Sequence, residues 1–146
     1  MPEPSLSRPT RMRKRESGFS DKSHWIWTSP GGRRKWANWV CFRKAFWISG
    51  SGRAARLRIT ADSEYWVWIN GVWIGHGPAR SFPWRWRYEE YEVGEYLNGG
   101  ENVIGVLVLG SGVSTFRYVS APAGLRCELE IEGVGIIGSD EGWEWA

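Results

Sequence analysis

Acidic side chains are the residues of this 146-residue sequence that could most directly do chemistry. One common form of acid–base hydrolysis uses two carboxyl groups that converge on one bond, one of them with a raised pKa. The candidates are Asp62, Glu64, Glu89, Glu90, Glu92, Glu95 and Asp140. A solvated strand edge or a strand-end cap accounts for each of them, so we expect none to be catalytic.

Nucleophilic and metal chemistry find little support either. His24 and His76 are far apart, and no serine sits in the glycine-flanked turn that exposes a hydrolase nucleophile. Cys41 and Cys127 lie in predicted strands without a CxxC pair or a His/Cys cluster, which argues against zinc. We expect both cysteines to be buried free thiols, and His76 to be structural rather than a ligand.

Tryptophan and arginine side chains offer binding chemistry instead. The sequence has 12 Trp, and an indole can stack on an apolar ring face while a guanidinium hydrogen-bonds hydroxyl groups. The densest set lies in the connector at 76–88: Arg80, Trp84, Arg85, Trp86 and Arg87. In a second set, Trp66 and Trp68 share one strand face that ends at Asn70. Packing in or on the sheet would also explain the strand set, and docking on an absent domain would explain the connector.

Short strands separated by turn residues must position these side chains. Alternating or β-branched and aromatic runs predict strands at 24–27, 39–48, 56–62, 64–69, 72–75, 102–109, 125–131 and 134–137. Asn70-Gly71 predicts a tight hairpin, and 94–97 a single helical turn at most. No segment of a dozen residues has the helical period, so the pattern predicts an all-β antiparallel sandwich.

The basic character of the chain is concentrated at its start. Residues 1–35 have a net charge of +6 and the remainder −3. We expect 1–22 to be a disordered basic tail, because it has almost no apolar residues, and 23–146 to be the folded module. A nucleic-acid-binding role through the tail is a minor alternative. No apolar stretch suits a membrane span or a secretory signal, so we expect a cytoplasmic location and no membrane partner.

Three segments together resemble a known family: WVCFRKAF, ITADSEYWVWINGVWIGHGPARSFPWRWRYEEYEV and YLNGGENVIGVLV. They are similar to the N-terminal β-sandwich of bacterial α-L-rhamnosidases, glycoside hydrolase family 78. The order of motifs is also similar to the sugar-binding domain of family 2 glycoside hydrolases. The resemblance covers roughly residues 24–146, and the GPARSFPWRWRY stretch favours the rhamnosidase branch.

The resemblance implies a galactose-binding-like jelly roll and a catalytic domain further along a longer chain. It makes this chain an accessory module that orients a glycan with terminal rhamnose or a related sugar, or braces that catalytic domain. The chain itself would not be an enzyme, whereas the parent protein would be a rhamnosidase-type glycosidase. A purely structural scaffold without sugar affinity is the alternative. No cofactor is indicated, although some jelly rolls carry calcium.

Overall fold

The computed structural model describes residues 7–8, 10–12 (backbone only), 18–28, 38–79, 87–112, 114 and 122–146. Within them the chain forms two antiparallel sheets. Their strands are β1 (Thr10–Met12), β2 (Trp25–Trp27), β3 (Asn38–Ile48), β4 (Ala55–Asp62), β5 (Glu64–Ile69), β6 (Val72–Gly77), β7 (Glu89–Glu92), β8 (Gly100–Gly110), β9 (Gly124–Ile131), β10 (Gly135–Gly138) and β11 (Glu144–Trp145). A 3₁₀ turn at Gly94–Tyr96 is the helical content of these residues.

Each sheet draws its strands from both halves of the chain. The first has the order β1-β2-β9-β4-β7, and β10 also pairs with β9. The second has the order β11-β3-β8-β5-β6. Consecutive strands β4 and β5 lie in different sheets, so the chain crosses between the layers there. This arrangement confirms the predicted all-β antiparallel sandwich.

The core lies between the two sheets and follows from strand alternation. On β5, for example, Tyr65, Val67 and Ile69 are buried while the residues between them are partly exposed. Strand β8 repeats the pattern with Ile104, Val106 and Val108. Because successive side chains of a strand point to opposite faces, every buried set fixes the opposite set on an outer surface.

The hairpin between β5 and β6 forms where it was predicted. Asn70 and Gly71 have φ of 50° and 80°, the two positive values that a tight two-residue turn requires. Asn70 stabilises this turn with its amide: Nδ2 donates to the Tyr96 carbonyl and to Asn102 Oδ1, both at 2.8 Å. Its Oδ1 accepts from the Val103 N–H at 2.9 Å.

Some described residues from the first 22 positions lie against the sandwich. Strand β1 pairs with β2, and Ser7 exchanges backbone hydrogen bonds with Trp145. Ser20 donates to Glu128 from both its backbone N–H and its hydroxyl, at 3.0 and 2.7 Å. The residues that contact the module therefore begin before position 23. No helix in the described ranges is long and apolar enough to cross a lipid bilayer.

Candidate functional site

The outer surface of the five-stranded sheet carries a concentration of aromatic side chains. On β3, Val40 and Phe42 are buried, so Trp39, Cys41 and Arg43 point outward. The same alternation turns side chains of β5 and β6 to this surface. We name it the aromatic face and define it by its largest members: Trp39, Trp47, Trp66, Trp68, Trp73 and His76.

A stack of three rings forms one end of the aromatic face. The Trp39 and Trp66 ring centroids are 5.3 Å apart with a 40° tilt, and Trp66 stacks on His76 at 4.5 Å and 13°. His76 Nε2 lies 3.1 Å from the Glu64 Oε2. Strand register brings these rings together, because Trp66 and His76 are direct partners across β5 and β6. We name Trp39, Trp66, His76 and Glu64 the ring stack.

A second row lies beside the ring stack. Trp68 is the cross-strand partner of Trp73, and the pairing register shifts at Trp68 through a β-bulge. Bulges re-aim the side chains next to them. On β3, Arg43 Nη1 lies 3.4 Å from the Glu144 carboxylate of β11. The row therefore presents indoles at one end and a paired guanidinium at the other.

These indoles are unusually open to solvent. Trp39, Trp47 and Trp73 expose 53%, 70% and 59% of their surface. Isolated surface hydrophobics such as Trp47 are ordinary, but Trp39 contacts Trp66, which stacks on His76 in the ring stack, and a cluster of exposed aromatic rings marks a surface that contacts something. The arrangement can therefore stack a flat apolar ligand surface and hydrogen-bond its polar groups.

The outer surface of the six-stranded sheet has the opposite character. Arg56 and Arg58 of β4 face glutamates on both neighbouring strands. Arg56 Nε lies 3.0 Å from the Glu92 carboxylate, and Arg58 bonds Glu90 at 2.9 Å and Glu128 at 3.1 Å. The hydrogen bonds that Arg58 donates to Glu90 and Glu128 raise the pKa of Arg58. We name Arg56, Arg58 and their glutamate partners the charged face. Because these charges are paired with one another, the aromatic face is the candidate site.

The structure brings together only part of the predicted binding set. Trp66 and Trp68 lie on the aromatic face, both partly exposed. Asn70 lies at the end of the same strand, where its amide is engaged within the fold. Arg87 is exposed, and its carbonyl accepts from the Thr60 hydroxyl at 2.6 Å. The other connector candidates lie outside the described residues: Arg80, Trp84, Arg85 and Trp86.

Sequence reasoning missed several members of the site. Trp39, Arg43 and Trp73 were absent from the predicted set. The prediction that His76 is structural stays a prediction, and its ring stacks on that of Trp66. The available signal was the alternation along 39–47, where every second residue after Trp39 (Cys41, Arg43, Ala45 and Trp47) lies on one face of the strand. That run has apolar residues on both faces, so its period alone does not identify the outer one.

The acidic candidates have partners within the fold. Glu89 accepts from the Tyr65 hydroxyl at 2.8 Å and from the Ala79 N–H at 2.7 Å, and Asp140 accepts from the Gly142 N–H. Within the described ranges no three His, Cys, Asp or Glu side chains converge as metal ligands. Both cysteines are free thiols. Cys127 is buried, which raises its pKa, but Cys41 is exposed, so the expectation of burial was wrong there.

Comparison with known proteins places this sandwich among the N-terminal domains of α-L-rhamnosidases. A match to the α-L-rhamnosidase N-terminal domain family spans residues 51–145, and the chain belongs to that family. A family 78 rhamnosidase of Bacillus sp. GL1 superimposes with a TM-score of 0.79 at 38% identity, covering 88% of this chain and 14% of that one.

Two further relatives are similar over short parts of their own length. Streptomyces avermitilis α-L-rhamnosidase, solved with L-rhamnose, has a TM-score of 0.68 at 25% identity, covering 97% of this chain and 13% of that one. A β-galactosidase of Vibrio cholerae is 31% identical over 72 residues, 47% of this chain and 6% of its own. The chain thus spans a small fraction of the length of each of these three proteins.

Proposed function

We propose that this chain is a non-catalytic accessory module of an α-L-rhamnosidase-type glycoside hydrolase that holds glycan substrate on its aromatic face. The observation that carries the proposal is the ring stack. An indole packs against the C–H face of a sugar ring. A neighbouring carboxylate accepts hydrogen bonds from sugar hydroxyl groups, and an imidazole accepts from them or donates to them. The ligand would be a glycan that ends in rhamnose or a related sugar, and the site of action would be the cytoplasm.

The extent of the aromatic face favours a second candidate. Trp47 pairs with Glu101 of β8, whereas Trp66 pairs with Leu107 of the same strand. These partners are six residues apart, so the Cα atoms of Trp47 and Trp66 are separated by about 20 Å along the strand direction. A single sugar unit does not span that distance. The same surface could instead pack against the catalytic domain of the hydrolase, in which case the module braces that domain.

Titration separates the two candidates. The purified chain is titrated with L-rhamnose and with rhamnose-terminated oligosaccharides, and heat release is measured by calorimetry. Glycan binding predicts saturable heat at millimolar sugar or below, as expected for a shallow open site. No heat up to tens of millimolar would favour the bracing role.

A matched pair of variants locates the binding. Trp66→Ala removes the middle ring of the ring stack, and we expect it to weaken the binding of rhamnose-terminated oligosaccharides about tenfold. Trp47→Ala removes a more exposed indole at the far end of the same face and should leave the affinity unchanged. Equal losses in both variants would contradict a site at the ring stack.

A further inference from the structure

One glycine in the centre of the aromatic face is not explained by the fold. Gly105 lies in the middle of β8, the central strand of the five-stranded sheet. It pairs with Arg43 on one side and Trp68 on the other, and the pairing with β3 and β5 runs through it without a shift. Glycine weakens a strand interior, because it loses more backbone freedom on folding and packs no side chain.

Every other glycine in the described part of the chain has a local reason. Each one either has a φ between 70° and 118° or would place a Cβ within 3.2 Å of a neighbouring atom. Gly105 has neither feature. A Cβ built on it meets no atom within 4 Å, so alanine or valine would fit this chain as well.

The neighbours of Gly105 give the open space a shape. One register row crosses all five strands of the sheet and contains Glu144, Arg43, Gly105, Trp68 and Trp73. Adjacent strands lie about 4.8 Å apart, so the Cα atoms of Arg43 and Trp68 stand roughly 10 Å apart across the glycine. Val103 and Leu107 bound the space along β8, two residues away on either side. We name this space the Gly105 slot.

We propose that the Gly105 slot seats one saccharide unit, with the backbone of Gly105 as its floor. A strand-interior glycine with open space above it is a position where a ligand can approach the backbone closely. The unit would stack its C–H face on the Trp68 indole and direct hydroxyl groups to the Arg43 guanidinium. This inference rests on the proposed function: it assigns the terminal unit of the glycan to the row beside the ring stack, with the next unit on the ring stack itself.

The charge state of the slot favours a saccharide over an anionic ligand. Arg43 is paired with Glu144, whose carboxylate also lies 4.0 Å from Arg8. A guanidinium has five N–H donors, so one ion pair leaves it donors for hydroxyl groups. The remaining walls are apolar, which suits the C–H surface of a sugar ring. An apolar protein surface would use the indoles equally well but would gain nothing from the Arg43–Glu144 pair.

The test is a valine at position 105. Valine is a favoured strand residue and its side chain fits the empty space, so Gly105→Val should fold with an unchanged or higher melting temperature. It should weaken the binding of L-rhamnose by about tenfold or more, because it fills the floor of the slot. Ala45→Val is the matched control: Ala45 is exposed on the same face, on β3, one row away. It should bind L-rhamnose like the natural chain.

A second measurement is independent of any substitution. In a ¹⁵N-labelled sample, the backbone amide of Gly105 should shift during an L-rhamnose titration, with the same dissociation constant as calorimetry. If the natural chain binds L-rhamnose but the Gly105 amide does not move and Gly105→Val binds normally, the slot is wrong and the proposed function stands. If the natural chain binds no sugar, both fail. A lower melting temperature of Gly105→Val would show that the glycine is structural and would overturn the slot.

Discussion

At the scale of single residues, Glu128 shows how a buried carboxylate holds a segment distant in sequence. It accepts hydrogen bonds from Ser20, from the Ser23 hydroxyl at 3.1 Å and from Arg58 at 3.1 Å. Arg126 lies beside it and donates to the Ser23 hydroxyl and the Ser20 carbonyl. Burial alone would raise the pKa of Glu128, but the hydrogen bonds from Ser20, Ser23 and Arg58 outweigh burial and lower it.

This carboxylate makes a pH-dependent contribution to stability. Because the pKa of Glu128 is lower in the folded chain, its stabilisation is present above the unfolded value of about 4.3 and is lost as the pH falls through the folded value. Glu128→Gln should therefore lower the free energy of unfolding by about 2 kcal/mol at pH 7. The difference from the natural chain should shrink below about pH 4, as measured by urea unfolding across pH.

Glu130 is the control for that experiment. It lies two residues along β9, is 54% exposed and is 4.0 Å from Arg58. Glu130→Gln should cost about 0.5 kcal/mol or less. Equal effects of the two substitutions would mean that the hydrogen bonds of Glu128 add nothing beyond a surface ion pair.

Asn70 was predicted as a ligand contact, and its hydrogen bonds suggest a separate prediction about stability. Asn70→Ala removes three hydrogen bonds and places alanine at a positive φ, so we expect a loss of about 2–3 kcal/mol in urea unfolding. Asn70→Gly removes the same bonds but tolerates the backbone, so its loss should be smaller. A sugar affinity unchanged in Asn70→Gly would separate the turn from the site.

At the scale of elements, a polar contact joins the two sheets where β5 meets β7. The buried Tyr65 of β5 donates to the Glu89 carboxylate, and its hydroxyl lies 2.9 Å from that of Tyr91. Burial is the main cause of a raised pKa of Tyr65, so the phenol stays protonated at neutral pH. Gly75 and Gly77 of β6 leave room for these groups, since a Cβ on either would contact them at 2.8 Å or less.

Removing one hydroxyl group tests that link. Tyr65→Phe should cost about 1–2 kcal/mol of unfolding free energy, because Glu89 and Tyr91 each lose a buried partner. Tyr88→Phe alters an exposed tyrosine and should change stability by about 0.5 kcal/mol or less. Thermal unfolding followed by circular dichroism measures both, and equal midpoints would contradict a stabilising link between the sheets.

The sequence predicted the positions of the strands better than it predicted which side of each strand faces solvent. Alternation and turn residues placed β3 to β6 and β8 to β10 within a few residues, because period and turn chemistry are local properties. Which surface of β3 lies outside depends on the strands beside it. The contact of His76 with Trp66 needs both the hairpin register and a bulge. The sequence around Gly105 does not indicate a binding position, because the empty space above this glycine is visible only in the packed sheet.

At the scale of the whole molecule, the two outer surfaces of the sandwich differ in whether their side chains find partners within the chain. The charged face pairs its own arginines and glutamates. The aromatic face leaves indoles in water, which is unfavourable unless something covers them. The proposed function would place the aromatic face against sugar or protein.

This difference predicts two kinds of tryptophan variant. Trp73→Ser should change the unfolding free energy by about 0.5 kcal/mol or less and should reduce binding of a hydrophobic dye, because the indole is exposed. Trp143→Ser should cost about 3 kcal/mol or more, since Trp143 is buried and donates to the Gly138 carbonyl. Chemical unfolding and dye fluorescence measure the two effects. A large stability loss in Trp73→Ser would show that its side chain belongs to the core.

The bridge between Ser7 and Trp145 has a mechanical consequence. Their backbone groups exchange hydrogen bonds of 2.9 and 2.7 Å, although the two residues are nearly the length of the chain apart. Chain entering at Ser7 and chain leaving at Trp145 therefore meet at one point on the surface. A force that separates Ser7 from Trp145 would act first on these two backbone hydrogen bonds. The two sheets would bear the force only after those bonds had broken.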